Sequence, residues 1–442
     1  MMKKSLWVSA AMLLMSHSAW AQKQWTLKEC VDYAMQNNIT LKKARLSAES
    51  AQEDVKGAKG ALWPTLSAST NQSVGYRPWQ DNGTTTVTNG QVNTKVNKSY
   101  YNGSYGLNAS WTLWNGNKKT NTVRLNKLSA EQASLETEVT ANSIQEQIAQ
   151  LYVQILYLTD AVKVSEKSLE TSRKNEERGK EMLEVGKMSK ADLAQLSAQR
   201  ASDEYTIIES RANIAKYKLQ LKQLLELDGT TPFDVSVPET TDEQALAPVP
   251  ALQDVYQEAT IKRPEIQSKM LAVKSSELNV KIAKAGYYPT LNLTGGVGTN
   301  TNSLSNKDWG DQLKTNVDAS AGLQVSIPIF DGRQTKTSVG KARISQQQAL
   351  LNWQDQQKEL YQTIEQYWLD AETNQQKFRT ALVTEQSEMQ SFELLQEQFD
   401  LGLKNIIELM TGKDKLLSAQ QNKLQSKYQT ILALQMLEFY RR

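Results

Sequence analysis

Few residues in this 442-residue chain could carry chemistry. It holds one histidine, His17, and one cysteine, Cys30. His17 sits in an N-terminal stretch that reads as a secretory signal. Lys3 and Lys4 form a positive n-region, Leu6 to Met15 a short apolar run, and Ala19-Trp20-Ala21 a small-x-small cleavage pattern, so the mature start is expected at Gln22. About ten apolar residues are too few to anchor the chain across a bilayer. A mature chain without histidine and with one thiol cannot build a Ser-His-Asp triad, a Cys-His dyad or an ordinary zinc site. Carboxylate pairs and Ser-Lys pairs stay open in principle, and no GxxxxGK[ST] phosphate loop is present. The chain is therefore read as a non-enzyme, with no cofactor and no metal. Cys30 does not directly follow the cleavage site, which argues against lipid attachment and for a small apolar helix residue. With 51 Lys and Arg against 48 Asp and Glu, there is no basic excess of the kind that marks a nucleic-acid partner. Apolar content of 39% and charged content of 22% are too polar for a helical membrane protein.

The elements that would position any site come in two matching sets. Leu27, Ala34, Ala58, Pro64, Thr65 and Leu66 line up, at an offset of 225, with Leu252, Ala259, Ala283, Pro289, Thr290 and Leu291. Gly106, Leu107, Ser110, Gly116 and Gly186 line up, at an offset of 216, with Gly322, Leu323, Ser326, Gly332 and Gly402. Such self-similarity reads as a tandem duplication. It divides the chain into a signal peptide (1–21), a first repeat (22–227), a linker (228–250) rich in Pro, Thr and acidic residues with little regular structure expected, and a second repeat (251–442).

Each repeat opens on a helix, from about Leu27 to Leu62 and from about Leu252 to Tyr287, stopped by Pro64 or Pro289. Long helices are expected over 117–184 and 333–401, because residues 117–178 and 341–401 contain neither Gly nor Pro. Ile144, Ile148, Leu151, Ile155, Leu158 and Val162 follow heptad spacing. About 60 residues make a rod of roughly 90 Å, too long for the core of a compact globule. Both rods stop near a glycine, Gly186 and Gly402, and helices over 190–227 and 406–440 should return antiparallel to them.

Between helices, four segments alternate with period two: 65–76, 105–114, 290–299 and 318–329. One face is apolar and the other small and polar, as in an outer-membrane strand with lipid outside and water inside. Aromatics gather at the strand ends. Trp63, Trp111, Trp114, Tyr287, Tyr288 and Phe330 lie on one side, and Tyr76, Trp79, Tyr100, Tyr101 and Trp309 on the other, as interfacial girdles require. The polar segments 77–102 and 300–316 read as cell-surface loops. Four strands cannot close in lipid, and closure takes at least about eight. Two chains would give a barrel filled by side chains; three would leave an aqueous lumen. A periplasmic adaptor or coiled-coil protein shares the long hairpins and the signal, but needs neither the girdled strands nor the duplication.

Several short motifs, in this order and spacing, make the chain closely resemble the TolC-like outer-membrane efflux protein family. They are Arg263-Pro264-Glu265, Trp63-Pro64-Thr65-Leu66 with Tyr288-Pro289-Thr290-Leu291, and Ile327 to Gly332 with its counterpart Trp111 to Gly116. The resemblance covers essentially all of residues 22–442. It implies an α+β membrane protein, a homotrimer whose 12-stranded outer-membrane β-barrel continues into a 12-helix periplasmic α-barrel. It implies a passive exit duct for tripartite efflux or secretion, working with a periplasmic adaptor and an inner-membrane transporter, proton-driven (of the RND class) or ATP-driven (ABC). The family's closed gate maps onto Asp192, Phe399 and Lys404, with an acidic ring at Glu408 and an uncharged Thr411 where a second ring would stand. A Lys404–Asp192 tie between hairpins is expected to be weaker than an arginine pair, because lysine lacks the bidentate fork. Adaptor docking is expected at the tips, Gly186 and Lys187, Gly402 and Leu403.

Overall fold

The computed structural model describes residues 24–79, 82–87, 90–95, 97–230, 232–238 and 240–442, and the expected signal peptide with His17 lies outside them. The first half runs β1 (Gln24–Trp25), α1 (Leu27–Asn37), α2 (Ile39–Gly60), β2 (Thr65–Tyr76), β3 (Asn82–Val87), β4 (Gly90–Lys95), β5 (Ser99–Trp114), α3 (Lys118–Glu184) and α4 (Lys190–Leu224). After β6 (Asp234–Val235) and α5 (Asp242–Ala245) come α6 (Leu252–Lys262), α7 (Pro264–Lys284), β7 (Thr290–Asn302), α8 (Trp309–Thr315), β8 (Asp318–Ser326), α9 (Gln334–Asp400) and α10 (Ile406–Arg441). The chain divides into two units, one of Met1–Leu46, Leu135–Ser268 and Gln354–Arg442, the other of Ser47–Ser134 and Lys269–Trp353.

The second unit holds a four-stranded antiparallel sheet in the order β2-β5-β7-β8. Its register sorts the side chains cleanly. Ala68, Leu107, Val297 and Ala319 form one cross-strand row and Trp111, Leu293 and Leu323 another, while Ser67, Asn108, Gly296 and Ser320 fall between them on the opposite face. Among the described residues nothing covers the apolar face, with Leu66, Leu107, Val297 and Leu323 all exposed. At one end of the strands Trp114 meets Tyr288 edge-on at 6.1 Å, and Trp111 Nε1 donates to Leu62 O at 2.8 Å. At the other, Tyr105 meets Trp309 edge-on at 6.3 Å.

Several boundaries depart from the sequence expectations. β5 begins at Ser99, not 105, and the segment expected as a loop holds the β3–β4 hairpin. β7 runs on to Asn302, and its loop carries α8. β8 stops at Ser326, ahead of 329, because Pro328 has no N–H to give a ladder. Neither opening helix is continuous. Asn38 takes ψ 126° between α1 and α2, and its side chain accepts from Leu41 N at 3.1 Å and donates to Leu224 O at 2.9 Å. Arg263 takes ψ 127° ahead of Pro264, whose ring excludes helical geometry from the residue before it.

In the first unit, Ile148, Ile155, Leu221, Leu225 and Tyr428 form the centre of the apolar core, with Cys30 fully buried beside them. Two positions of the expected seam, Leu151 and Leu158, are only half-buried, while Tyr152, Val153 and Leu156 are buried. The seam is thus wider than a strict heptad stripe, as expected where a helix packs on more than one neighbour. The linker is also more ordered than its composition suggests. β6 pairs in parallel with β1, Tyr152 Oη donates to Ser236 O at 2.6 Å, and Gln375 Nε2 donates to Ala245 O and Ala247 O. Among the described residues no helix is long and apolar enough to cross a membrane.

Candidate functional site at the helical turns

The long helices α3 and α9 end in the same way. Gly186 N donates to Leu183 O and Lys187 N to Met182 O; Gly402 N donates to Phe399 O and Leu403 N to Gln398 O. These paired bonds satisfy carbonyls that a helix end leaves open, and they require a left-handed residue, supplied by Gly186 at φ +73° and Gly402 at φ +74°. The chain then re-enters a helix through a capping box. Ser189 Oγ accepts from Asp192 N at 3.1 Å, and the Asp192 carboxylate accepts from Ser189 Oγ at 2.7 Å and Ser189 N at 3.4 Å. At the second turn Asn405 Oδ1 accepts from Glu408 N at 2.9 Å, and Glu408 Oε2 accepts from Asn405 N at 3.2 Å. The S-x-x-D and N-x-x-E spacings are legible in the sequence, yet the expectations above gave Asp192 and Glu408 no capping role.

The expected tie between Lys404 and Asp192 is not made within the chain. Lys404 Nζ, in the turn just ahead of α10, lies 2.6 Å from Glu408 Oε1 in the first turn of that helix, and Asp192 is engaged by Ser189. The hydrogen bonds from Lys404 and Asn405 hold the Glu408 carboxyl below its ordinary value. Phe399 is buried with Leu196, Ile406 and Leu409. It is therefore an apolar anchor between the two hairpins. Gly186, Lys187, Gly402 and Leu403 are exposed, and Val185, Leu401 and Ile407 add apolar surface around them.

Sequence reasoning missed the charge pair that does link the hairpins. Lys413 on α10 pairs with Asp203 on α4, both less than a tenth exposed. Asp203 also accepts from Ser172 Oγ of α3 at 2.5 Å and from Gln199 Nε2 at 3.1 Å, and Gln199 Nε2 reaches Asp414 Oδ1 at 3.2 Å. Nothing in the spacing of Asp203 and Lys413 announces a pairing across more than 200 residues; only the packed hairpins bring them together. The described residues hold no cluster of three or more His, Cys, Asp or Glu arranged to bind a metal ion.

Comparison with known proteins accords with this architecture. The outer membrane efflux protein family matches residues 30–226 and again 255–440. Outer membrane efflux protein BepC of Brucella suis is 22% identical over 92% of this chain and 83% of its own length. Cation efflux system protein CusC of Escherichia coli is 22% identical over 91% and 83%, and outer membrane protein TolC of Vibrio cholerae 21% identical over 97% and 92%. A crystal structure of CusC superimposes with a TM-score of 0.80 over 96% of this chain and 95% of its own, at 17% identity. The Campylobacter jejuni outer membrane channel CmeC does so with 0.78 over 94% and 85%, at 20% identity. Two family matches spanning most of the sequence decide the assignment: the chain belongs to the outer membrane efflux protein family, the TolC-like channels of the Gram-negative outer membrane.

Proposed function

We propose that three copies of this chain form the exit duct of a tripartite efflux or secretion system. The duct conducts substrates passively, and the protein catalyses nothing. The observation that carries this reading is the sheet: four strands with an uncovered apolar face and open edges at β2 and β8. Open edges are not tolerated in hydrocarbon. Joining β8 of one copy to β2 of the next removes them, and three copies make a 12-stranded barrel wide enough for a water-filled lumen. The apolar rows then face lipid, and the Ser, Asn, Thr and Gly rows line the pore. The long helices α3 and α9, with α4 and α10, supply a 12-helix α-barrel in the periplasm. The matching element order of the two halves supports a tandem duplication.

The gate lies at the helical turns. Asp192, Lys404 and Glu408 stand there, Phe399 packs behind them, and Glu408 gives one acidic ring that favours cations. Thr411 contributes no charge. The exposed turns at Gly186, Lys187, Gly402 and Leu403 dock a periplasmic adaptor, which couples the duct to an inner-membrane transporter of the RND or ABC class. Planar-bilayer recording on the purified trimer tests the reading. It requires small, cation-selective single-channel steps that lose cation selectivity in Glu408→Gln. A folded trimer without conductance would reject the duct, and unchanged selectivity in the variant would reject the ring.

A further inference from the structure

The helix ends beside the strands carry a charge pattern unlike that of the turns. α4 and α10 begin with an acidic residue in the first turn, Asp192 or Glu408. α3 and α9 have none there. α3 begins instead with Lys118 and Lys119, and α9 has Arg333 just ahead of it and Lys336 in its first turn. Cations at a helix N-terminus oppose the macrodipole. The capping work is done by neutral Asn115, which accepts from Lys119 N at 3.2 Å, and by Asp331, which accepts from Thr335 N at 2.8 Å. Arg333 is costlier still, because it sits at φ +69°, a left-handed conformation that Asn or Gly adopts more cheaply, and Asn117 fills the matching place at φ +62°.

The two helices that run into strands end on cations as well, Lys59 on α2 and Lys281 and Lys284 on α7. Lys59, Lys118, Lys281, Lys284, Arg333 and Lys336 are all exposed, and none makes an ion pair among the described residues. The unit that contains them has more Lys and Arg than Asp and Glu, and the other unit has fewer. This band adjoins the exposed aromatics Trp63, Trp114, Tyr287, Tyr288 and Phe330, the residue types that sit at the headgroup level of a bilayer.

We propose that this band is a basic collar that binds the phosphates of anionic glycerophospholipids in the periplasmic leaflet. Unpaired cations next to the uncovered apolar sheet meet lipid phosphate where the hydrocarbon ends. Attraction of this kind acts on each Lys or Arg near a charged surface and is screened by salt. The inference rests on the barrel reading only in placing the strands in lipid.

The test is native mass spectrometry of the full-length protein in detergent, titrated separately with phosphatidylglycerol and phosphatidylcholine. The wild type should bind phosphatidylglycerol at least about tenfold more tightly, and high salt should remove most of the difference. In the combined variant Lys118→Gln, Lys119→Gln, Lys281→Gln, Lys284→Gln and Lys336→Gln the preference should shrink to about twofold or less. Equal binding of the two lipids by wild type, or a preference untouched in a folded variant, overturns the proposal. So does a variant that keeps its lipid preference and shifts ion selectivity in a bilayer, since its lysines then face the lumen. The same spectra report the trimer, so loss of the barrel reading shows as absent trimer and not as altered lipid preference. Should the variant fail to fold, the salt dependence of the wild type alone decides.

Discussion

The two helical turns solve one structural problem with exchanged parts. At the offset of 216, Gly179 matches Leu395 and Leu196 matches Gly412. A Cβ on Gly179 would come within 2.6 Å of Leu196, and one on Gly412 within 2.6 Å of Leu395. Each hairpin thus seats a leucine over a glycine, from opposite helices. Ser189 and Asp192 become Asn405 and Glu408, with the same capping geometry. The exchange stops at charge. Lys413 corresponds to Ser197, whose hydroxyl donates to Glu176 at 2.7 Å, and Asp203 corresponds to the buried Ala419. Local geometry is kept by whatever residues satisfy it, and the buried ion pair is where the two turns diverge.

The largest effect is expected at that divergence. Removing one partner of a buried pair leaves an uncompensated charge and costs about 3–5 kcal/mol. Lys413→Met should therefore lower the protein's melting temperature markedly. The double variant Asp203→Ala with Lys413→Ser installs the residues of the matching positions and should recover most of the loss. If the double variant is as unstable as Lys413→Met, the pair contributes no more than its packing. Next comes the exchanged packing. Gly412→Leu should cost about 1–3 kcal/mol by overpacking. Adding Leu395→Gly should return part of this despite glycine's lower helix propensity, and a strictly additive double variant would break the analogy between hairpins. Smaller again, Ser189→Ala and Asn405→Ala should each cost about 1 kcal/mol. Amide exchange should quicken only in the first turn of the helix that each one caps.

These effects differ in how visible they are from the sequence. The four strands, the long helices and the glycine-ended turns could be read because each rests on a local rule: alternation, absence of Gly and Pro, and a left-handed stop. The break at Arg263 had a local signal in Pro264, which the expectation of one continuous helix from Leu252 to Tyr287 passed over. The break at Asn38 was not, because it depends on Asn38 reaching Leu224 O on another helix. The order in the linker depends likewise on partners, Trp25 and Gln375, that only the fold supplies. In the candidate site, the turn residues were found from the resemblance, but their bonding was not. Lys404 prefers a carboxylate four residues on in the same turn, which entropy favours over one on a separate hairpin.

The smallest prediction separates two carboxyls of the second turn by the sign of their pH response. Glu408 is held below its ordinary value by Lys404 and the Asn405 N–H. Its contribution is present above the usual carboxylate range and is lost as pH falls through its depressed folded value. Burial pushes the Asp414 carboxyl up, with Lys413 opposing and Asp203 reinforcing. The folded state therefore favours its neutral form. That gain is present below the ordinary aspartate value and is lost as pH rises through the raised folded value. Asp414 is nevertheless exposed by surface area, so solvent screening keeps the effect small. Asp414→Asn should raise the melting temperature slightly near about pH 7 and leave it unchanged near about pH 3, where aspartate is protonated in both folded and unfolded chains. Glu408→Gln should do the reverse, lowering it at neutral pH and converging with wild type in acid. Melting curves at the two pH values decide the matter. A gain from Asp414→Asn of equal size at both would show that its charge is not what the fold resists. A loss from Glu408→Gln that persists in acid would trace that loss to packing and not to the carboxylate.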